Sequence, residues 1–135
     1  PNATRPWQHV LDLIFGYLKL SKKMFNNNRY NGAWNFGPNN KNNLKVKQLV
    51  LIGKKIFKSV SKIVLKKKKY YESENLALDS SKAKKFLNWQ TKFNDREALS
   101  MTFNWYKNFY KIKNKKVLLD LSFDQIKSFK LKHKI

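Results

Sequence analysis

The sequence predicts one α/β domain in which short strands stand between several helices. Three observations predict it. Apolar residues recur at helical spacing in several stretches. Short runs rich in β-branched and aromatic residues lie between those stretches, bounded by Gly, Pro and Asn. A chain of 135 residues, 41% hydrophobic and 15% aromatic, has the material for a single core. Helices alternating with strands point to α/β rather than to a helical bundle.

The elements follow in order. Residues 1–4 read as loop, and Pro6 favours extended geometry at Arg5. Residues 7–10 read as a short strand or an extended lead-in. Over 10–25, Val10, Leu11, Ile14, Phe15, Leu18 and Met24 recur at near-helical spacing, which predicts a helix. Its apolar stripe is wide, so the helix is expected to be largely buried. Residues 26–32 form a polar turn, 33–37 (AWNFG) a short strand closed by Gly37-Pro38, and 39–43 a polar loop. A second helix is expected over 45–58, with Val46, Leu49, Val50, Ile56 and Phe57 on one face and lysines on the other. Residues 62–65 (KIVL) read as a strand, 66–69 as a solvated lysine edge, and 76–78 as another short strand. Asp79-Ser80-Ser81 supplies N-cap chemistry for a short helix over 82–87. Asn94 and Glu97 have capping-box spacing and open a helix to about residue 110. Ser122 and Gln125 repeat that spacing and predict a last helix carrying Ile126 and Phe129.

The formal net charge is +22. Taken alone, it suggests nucleic acid or an anionic membrane. Arg, however, occurs only at 5, 29 and 96, and Lys, Asn, Ile, Phe and Tyr are all abundant. That joint enrichment is what AT-rich coding drift produces. Readers of nucleic acid favour the planar fork of Arg. The charge is therefore expected to give weak, salt-sensitive polyanion binding and no specific nucleic-acid partner.

Cys is absent, which excludes disulfides and fits a reducing, cytoplasmic setting. The longest apolar run, 10–15 interrupted by Asp12, is too short to span a bilayer, and no leader pattern precedes it. His9 and His133 are the only histidines, and nothing pairs them with Glu72, Glu74 or Asp79, so a metal site is not expected. There is no G-x-S-x-G, and Gly16, Gly32, Gly37 and Gly53 are too sparse for a dinucleotide turn or a P-loop. No catalytic residue is assigned. One anion site is available: Arg5 can fork onto a diphosphate, Trp7 and His9 can flank a ring, and Gln8 offers donor and acceptor. The other reading makes Trp7 core and Arg5 a surface charge, and composition alone favours it.

Read in order, RPWQHVLD (5–12), GYLKLSKKMF (16–25), GAWNFGP (32–38), LALDSSKAKKFLNWQ (76–90) and MTFNWYKNF (101–109) resemble the C-terminal part of the CDP-glucose 4,6-dehydratases. These belong to the extended short-chain dehydrogenases/reductases. The blocks at 5–11 and 32–38 are the most specific, whereas D-x-S-K-A-x-x-x-L-x-W is shared across the wider family. Residues 121–129 look like the family's closing helix, and the match is weakest over 41–71 and at the last residues. The resemblance implies a Rossmann-type NAD-binding core with a smaller substrate domain. It implies a lyase that oxidises C4 of the sugar with bound NAD, eliminates water across C5 and C6, and returns the hydride to C6. A C4 ketone acidifies the C5 proton, which is why oxidation must precede loss of water. The product would be CDP-4-keto-6-deoxyglucose, a precursor of deoxysugars in surface polysaccharides.

The family's Gly-rich turn and Tyr-x-x-x-Lys pair would lie N-terminal to these residues. Residues 1–135 are therefore expected to be mostly the substrate-binding portion, inactive alone, with NAD held by the absent N-terminal half and a homo-oligomeric parent. By resemblance, Arg5 faces the diphosphate of the CDP-sugar, with Trp7, Gln8 and His9 beside it. Asp12 stands where the family has an acidic residue, Asp79 and Ser81 cap a helix, and Ala83 packs beneath it. Tyr71-Glu72-Ser73 replaces the family's His-Glu-Ala, and Leu87-Asn88-Trp89 replaces L-G-W. Asn is the residue after Gly best able to adopt the left-handed turn expected there. The lysines at 66–69 have no clear family counterpart.

Alternatives remain open. A small Lys-rich polyanion-binding or nucleic-acid-binding module would expose Trp34 and Tyr70 among lysines. A silent interaction domain would keep only the fold, and another nucleotide-sugar dehydratase or epimerase would use a different nucleotide. The dehydratase reading expects Arg5 beside a concave surface, the first helix packed on an incomplete sheet, and an exposed apolar face where the missing half docks. Trp34, Phe36, Trp89, Trp105 and Tyr106 are expected in the core.

Overall fold

A computed structural model describes residues 2–38, 44–64, 73–112 and 114–134. The loop expected at 39–43, the lysine run at 66–69 and the residues 70–72 lie outside them. The described residues form five α-helices: α1 (Val10–Asn26), α2 (Val46–Phe57), α3 (Ser81–Leu87), α4 (Asp95–Lys111) and α5 (Lys115–His133). A 3-10 turn, Asn28–Tyr30, follows α1.

The α/β expectation is overturned. Among the described residues there is no strand and no sheet, so no Rossmann-type layer is present. Residues 7–9, 33–37, 62–64 and 76–78 are not strands. Among the described residues, Thr4 makes isolated bridges, antiparallel to Lys45 and parallel to Asn75. Its N–H donates to the Glu74 carbonyl at 2.8 Å, and the Val46 N–H donates to the Ala3 carbonyl at 2.9 Å. Elsewhere side chains satisfy extended backbone that a ladder would otherwise pair. The amide of Gln8 donates to the Phe36 carbonyl at 2.9 Å. The Gly37 N–H donates to Ser80 Oγ at 2.7 Å. Lys82 Nζ donates to the Ala33 carbonyl at 3.0 Å. Residues 62–64 have β-rich composition, but Val64 is exposed and no neighbouring strand among the described residues pairs with them.

α1 begins where expected, yet it is not largely buried. Asp12 and Gly16 are its buried residues, while Val10, Ile14 and Leu18, spaced four apart, are exposed. Its inner face closes on Trp89, which is 1% exposed, and on Phe36, whose ring meets the indole edge-on at 4.9 Å. Tyr30, Ala83 and Leu87 complete this cluster. Burying an aromatic side chain of this size contributes on the order of 2–3 kcal/mol. Trp89 Nε1 donates to the Asp12 carbonyl at 2.9 Å, and Asp12 Oδ1 accepts from the Lys92 N–H at 2.8 Å. Asn88 ends α3 with φ 46° and ψ 47°, the left-handed geometry expected of it. Lys19 Nζ reaches the Leu87 and Asn88 carbonyls at 3.1 and 2.9 Å, tying α1 to that helix end.

The cap of α3 differs in part from expectation. Asp79 Oδ1 accepts from the Ser81 N–H at 2.8 Å, but Ser81 is the first helical residue and Ser80 spends its hydroxyl on Gly37. Ala83 is fully buried beneath the helix. The capping box of α4 forms as its spacing predicts, with both reciprocal bonds at 3.0 Å. α5 starts earlier than the Ser122 spacing suggests, because Asn114 Oδ1 accepts from the Lys116 N–H at 2.9 Å. Ser122 is therefore mid-helix: its hydroxyl donates to the Leu118 carbonyl and accepts from Trp105 Nε1, both at 2.9 Å. Phe93, Ala98 and Phe129 form a second buried cluster joining α4 and α5 to Phe15 of α1.

Two helix glycines should respond oppositely to alanine. A Cβ on Gly16 would lie 2.6 Å from the buried Phe36 ring and 2.9 Å from Trp89 Nε1, so Gly16→Ala is expected to cost ~1–3 kcal/mol. On Gly53 it would meet only the Phe103 ring at 3.4 Å, so Gly53→Ala is expected to stabilise by roughly 0.5–1 kcal/mol. Urea unfolding midpoints of the two variants, compared with the parent chain, check both signs.

Candidate functional site

Residues 3–9 run extended between the segments at 36, 44–46 and 74–76, and side chains hold them there. The Trp7 indole N–H donates to the Leu44 carbonyl at 2.9 Å, and Arg5 Nη1 donates to the Thr4 carbonyl at 2.6 Å. With the Gln8 bond to Phe36, three of the four expected substrate-binding residues bond to backbone carbonyls. Trp7 and Arg5 are half-buried, so neither of the two simple expectations, core indole or free surface charge, describes them.

Gln8 and His9 turn elsewhere. Together with Trp105, Tyr106, Ser122 and Gln125 they line a hollow of about 480 Å³, chiefly apolar, between the start of α1 and the α4–α5 pair. Arg5 and Trp7 are not among its lining residues, so the structure divides the four into two pairs. The residues that complete the hollow were not singled out as ligands by sequence reasoning. Their signal was the Trp105-Tyr106 pair within the MTFNWYKNF block, which the sequence reads as core. Tyr106 is in fact exposed and Trp105 and Trp34 are half-buried, whereas Phe36 and Trp89 do lie in the core.

His9 is only 2% exposed and stands at the N-terminus of α1, where Nδ1 accepts from the Leu11 N–H at 3.3 Å. The Phe93 ring meets it edge-on at 5.5 Å. Burial pushes the imidazole below its ordinary value, and a side-chain bond with Gln125 offsets part of that. Gln125 donates its own amide to the Met101 carbonyl at 2.9 Å, which leaves its oxygen to accept from the ring. A neutral imidazole fixed in this way serves as a helix cap and a wall of the hollow. Burial pushes the nearby Asp12 carboxyl up, while backbone N–H groups of Lys92 and Phe93 and the charges of Lys132 and Lys92 pull it back.

Gly16 and Gly37 form no dinucleotide cradle: Gly16 is closed by Phe36 and Trp89, and a Cβ on Gly37 would meet Leu78 at 2.7 Å. These two positions therefore do not fit NAD. Among the described residues, no group of three or more His, Cys, Asp or Glu could hold a metal ion, and no helix is long and apolar enough to cross a membrane.

No family model matches the chain. It is 28% identical over 109 residues to a CDP-glucose 4,6-dehydratase of Salmonella typhimurium. The chain is distantly related to that enzyme family. The aligned stretch covers 79% of this chain, and the chain spans only 30% of the length of that relative.

His9 has a titration consequence. Its folded value lies below the ordinary 6.5, so beneath pH 6.5 the unfolded chain takes up a proton that the native imidazole resists. Its contribution is fully present above pH 6.5 and is lost as the pH falls. His9→Asn keeps a side chain able to cap the helix and should flatten the acid side of a stability–pH curve measured by urea unfolding.

Proposed function

We propose that this chain is the substrate-side portion of a nucleotide-sugar dehydratase that converts CDP-glucose to CDP-4-keto-6-deoxyglucose, with Arg5 presenting its planar fork to the diphosphate. The observation that carries this reading is the similarity over 109 residues to a CDP-glucose 4,6-dehydratase. Trp7, Gln8 and His9 would shape the same region, the first two as anchors of the segment that bears Arg5 and the last as a wall of the hollow.

A long apolar surface supports the portion reading. Val10 lines the hollow, and Ile14 and Leu18 follow it at four-residue intervals along α1. On α4, Tyr106, Phe109 and Tyr110 are exposed, the last at 74%, and Phe123 and Ile126 stand out from α5. A domain that completed its own core would bury more of such a surface. A dinucleotide-binding half docked on it would cover these side chains and supply NAD, the Gly-rich turn and the Tyr-x-x-x-Lys pair. Homo-oligomer contacts and a cytoplasmic setting belong to the same reading of the parent.

Titration calorimetry of CDP-glucose into the 135-residue chain tests the role of Arg5. Arg5→Ala is expected to weaken binding about tenfold or more. Arg5→Lys, which keeps the charge and loses the fork, should weaken it as well. Affinity unchanged in both variants, or glucose competing as well as CDP-glucose, would remove Arg5 from the site. With NAD added, the chain alone should leave CDP-glucose unconverted by chromatography; a 4-keto product would overturn the assignment of the chemistry to the other half.

A further inference from the structure

A second face lies across the end of α1, the 3-10 turn and α3. One hollow there, of about 260 Å³, is lined by Arg29, Tyr30, Trp34, Lys82 and Phe86. A second, of about 460 Å³, is lined chiefly by Lys22, Lys23, Asn26 and Lys85 together with Phe86. Phe86, a half-exposed ring, borders both hollows and stands between the two sets of cations. Among the described residues, no carboxylate lines either hollow.

The cations stand against the rings. Lys82 Nζ lies 4.3 Å from the Trp34 centroid and is held by the Ala33 carbonyl. Arg29 lies 5.4 Å from the Tyr30 centroid, and Lys85 Nζ lies 5.4 Å from that of Phe86. Tyr30 and Trp34 stack at 6.1 Å, and Trp34 and Phe86 stand perpendicular at 6.5 Å. Ammonium groups placed beside ring faces suit a ligand that alternates phosphate with planar base. A lipid surface would instead engage the apolar face of a helix lying flat in the interface.

We propose that this groove, centred on Phe86 and bordered by Lys22, Lys23, Arg29, Lys82 and Lys85, binds single-stranded nucleic acid. Phosphates would track the lysines and a base would stack on Phe86. The site is independent of Arg5 and of any CDP-sugar, so it stands or falls separately from the dehydratase reading. The Lys excess alone predicts only weak, ring-independent polyanion binding; the groove adds dependence on an aromatic ring.

Fluorescence anisotropy of a labelled oligodeoxythymidylate of roughly a dozen nucleotides, with the full 135-residue chain, provides the test. Phe86→Ala is expected to weaken binding about tenfold, and Phe86→Tyr to preserve it. Lys82→Gln combined with Lys85→Gln should reduce the slope of log affinity against log salt by about 0.7 for each phosphate that the chain no longer neutralises. Phe86→Leu, which keeps the apolar volume and loses the ring, should weaken binding as Phe86→Ala does and keeps the test decisive should Phe86→Ala fail to fold; unchanged affinity in Phe86→Leu would overturn the proposal. An unchanged salt slope would overturn the proposal, as would inorganic polyphosphate or anionic lipid vesicles displacing the probe as well as unlabelled oligonucleotide does.

Discussion

The bond from the Trp89 indole to the Asp12 carbonyl, closed on the other side by the Asp12 carboxylate on the Lys92 N–H, is the contact the rest of the molecule depends on. It joins residues about 80 positions apart and locks α1 across the link between α3 and α4. The indole is buried with its polar atom satisfied, so the ring adds apolar burial without leaving an unpaired donor. Gly16 lets the Phe36 ring lie against α1 beside that indole. A helix carrying a side chain there would stand off and open the core.

Around this clasp, side chains take the part that a sheet would play in an α/β domain. Gln8, Ser80, Lys82 and Trp7 each bond a backbone group of an extended segment. This arrangement orders residues 3–9 without a ladder, and it gives Trp7 and Gln8 a structural part whatever else they touch. The same segment delivers His9 to the head of α1, where burial keeps the ring neutral and Gln125 orients it. Structure and candidate site are thus made of the same residues.

Two surfaces of contrasting chemistry leave this core. One is apolar, running from the hollow at His9 along α1 and over α4 and α5. The other is basic and aromatic, around Phe86. Under the proposed reading, the remainder of a dehydratase of which this chain spans only 30% of the length would cover the apolar surface. The basic groove lies instead at the end of α1, the 3-10 turn and α3, around Phe86.

Local signals in the chain carried the helices. The Asn94–Glu97 spacing, the periodicity of residues 10–25 and the Asn88 turn all appear where patterning places them, because caps and 3.6-residue periods involve neighbours in sequence. The end nearest Ser122 misled, since a hydroxyl that looks like a cap serves instead as the acceptor for Trp105 on another helix. The strands failed for a similar reason: residues 33–37 and 62–64 have strand composition, but a strand exists only when another chain segment pairs with it. The candidate site divided along the same line. Arg5, Trp7, Gln8 and His9 were legible as a chemically rich block, while their separation into two pairs, and the hollow that Trp105, Tyr106 and Gln125 complete, were not. The chain by itself determined where its first four helices start and stop, to within a residue, and how much charge it bears. Tertiary packing decided which apolar faces are covered, where the polar side chains spend their hydrogen bonds, and that no sheet forms among the described residues, because each of those outcomes depends on partners distant in sequence.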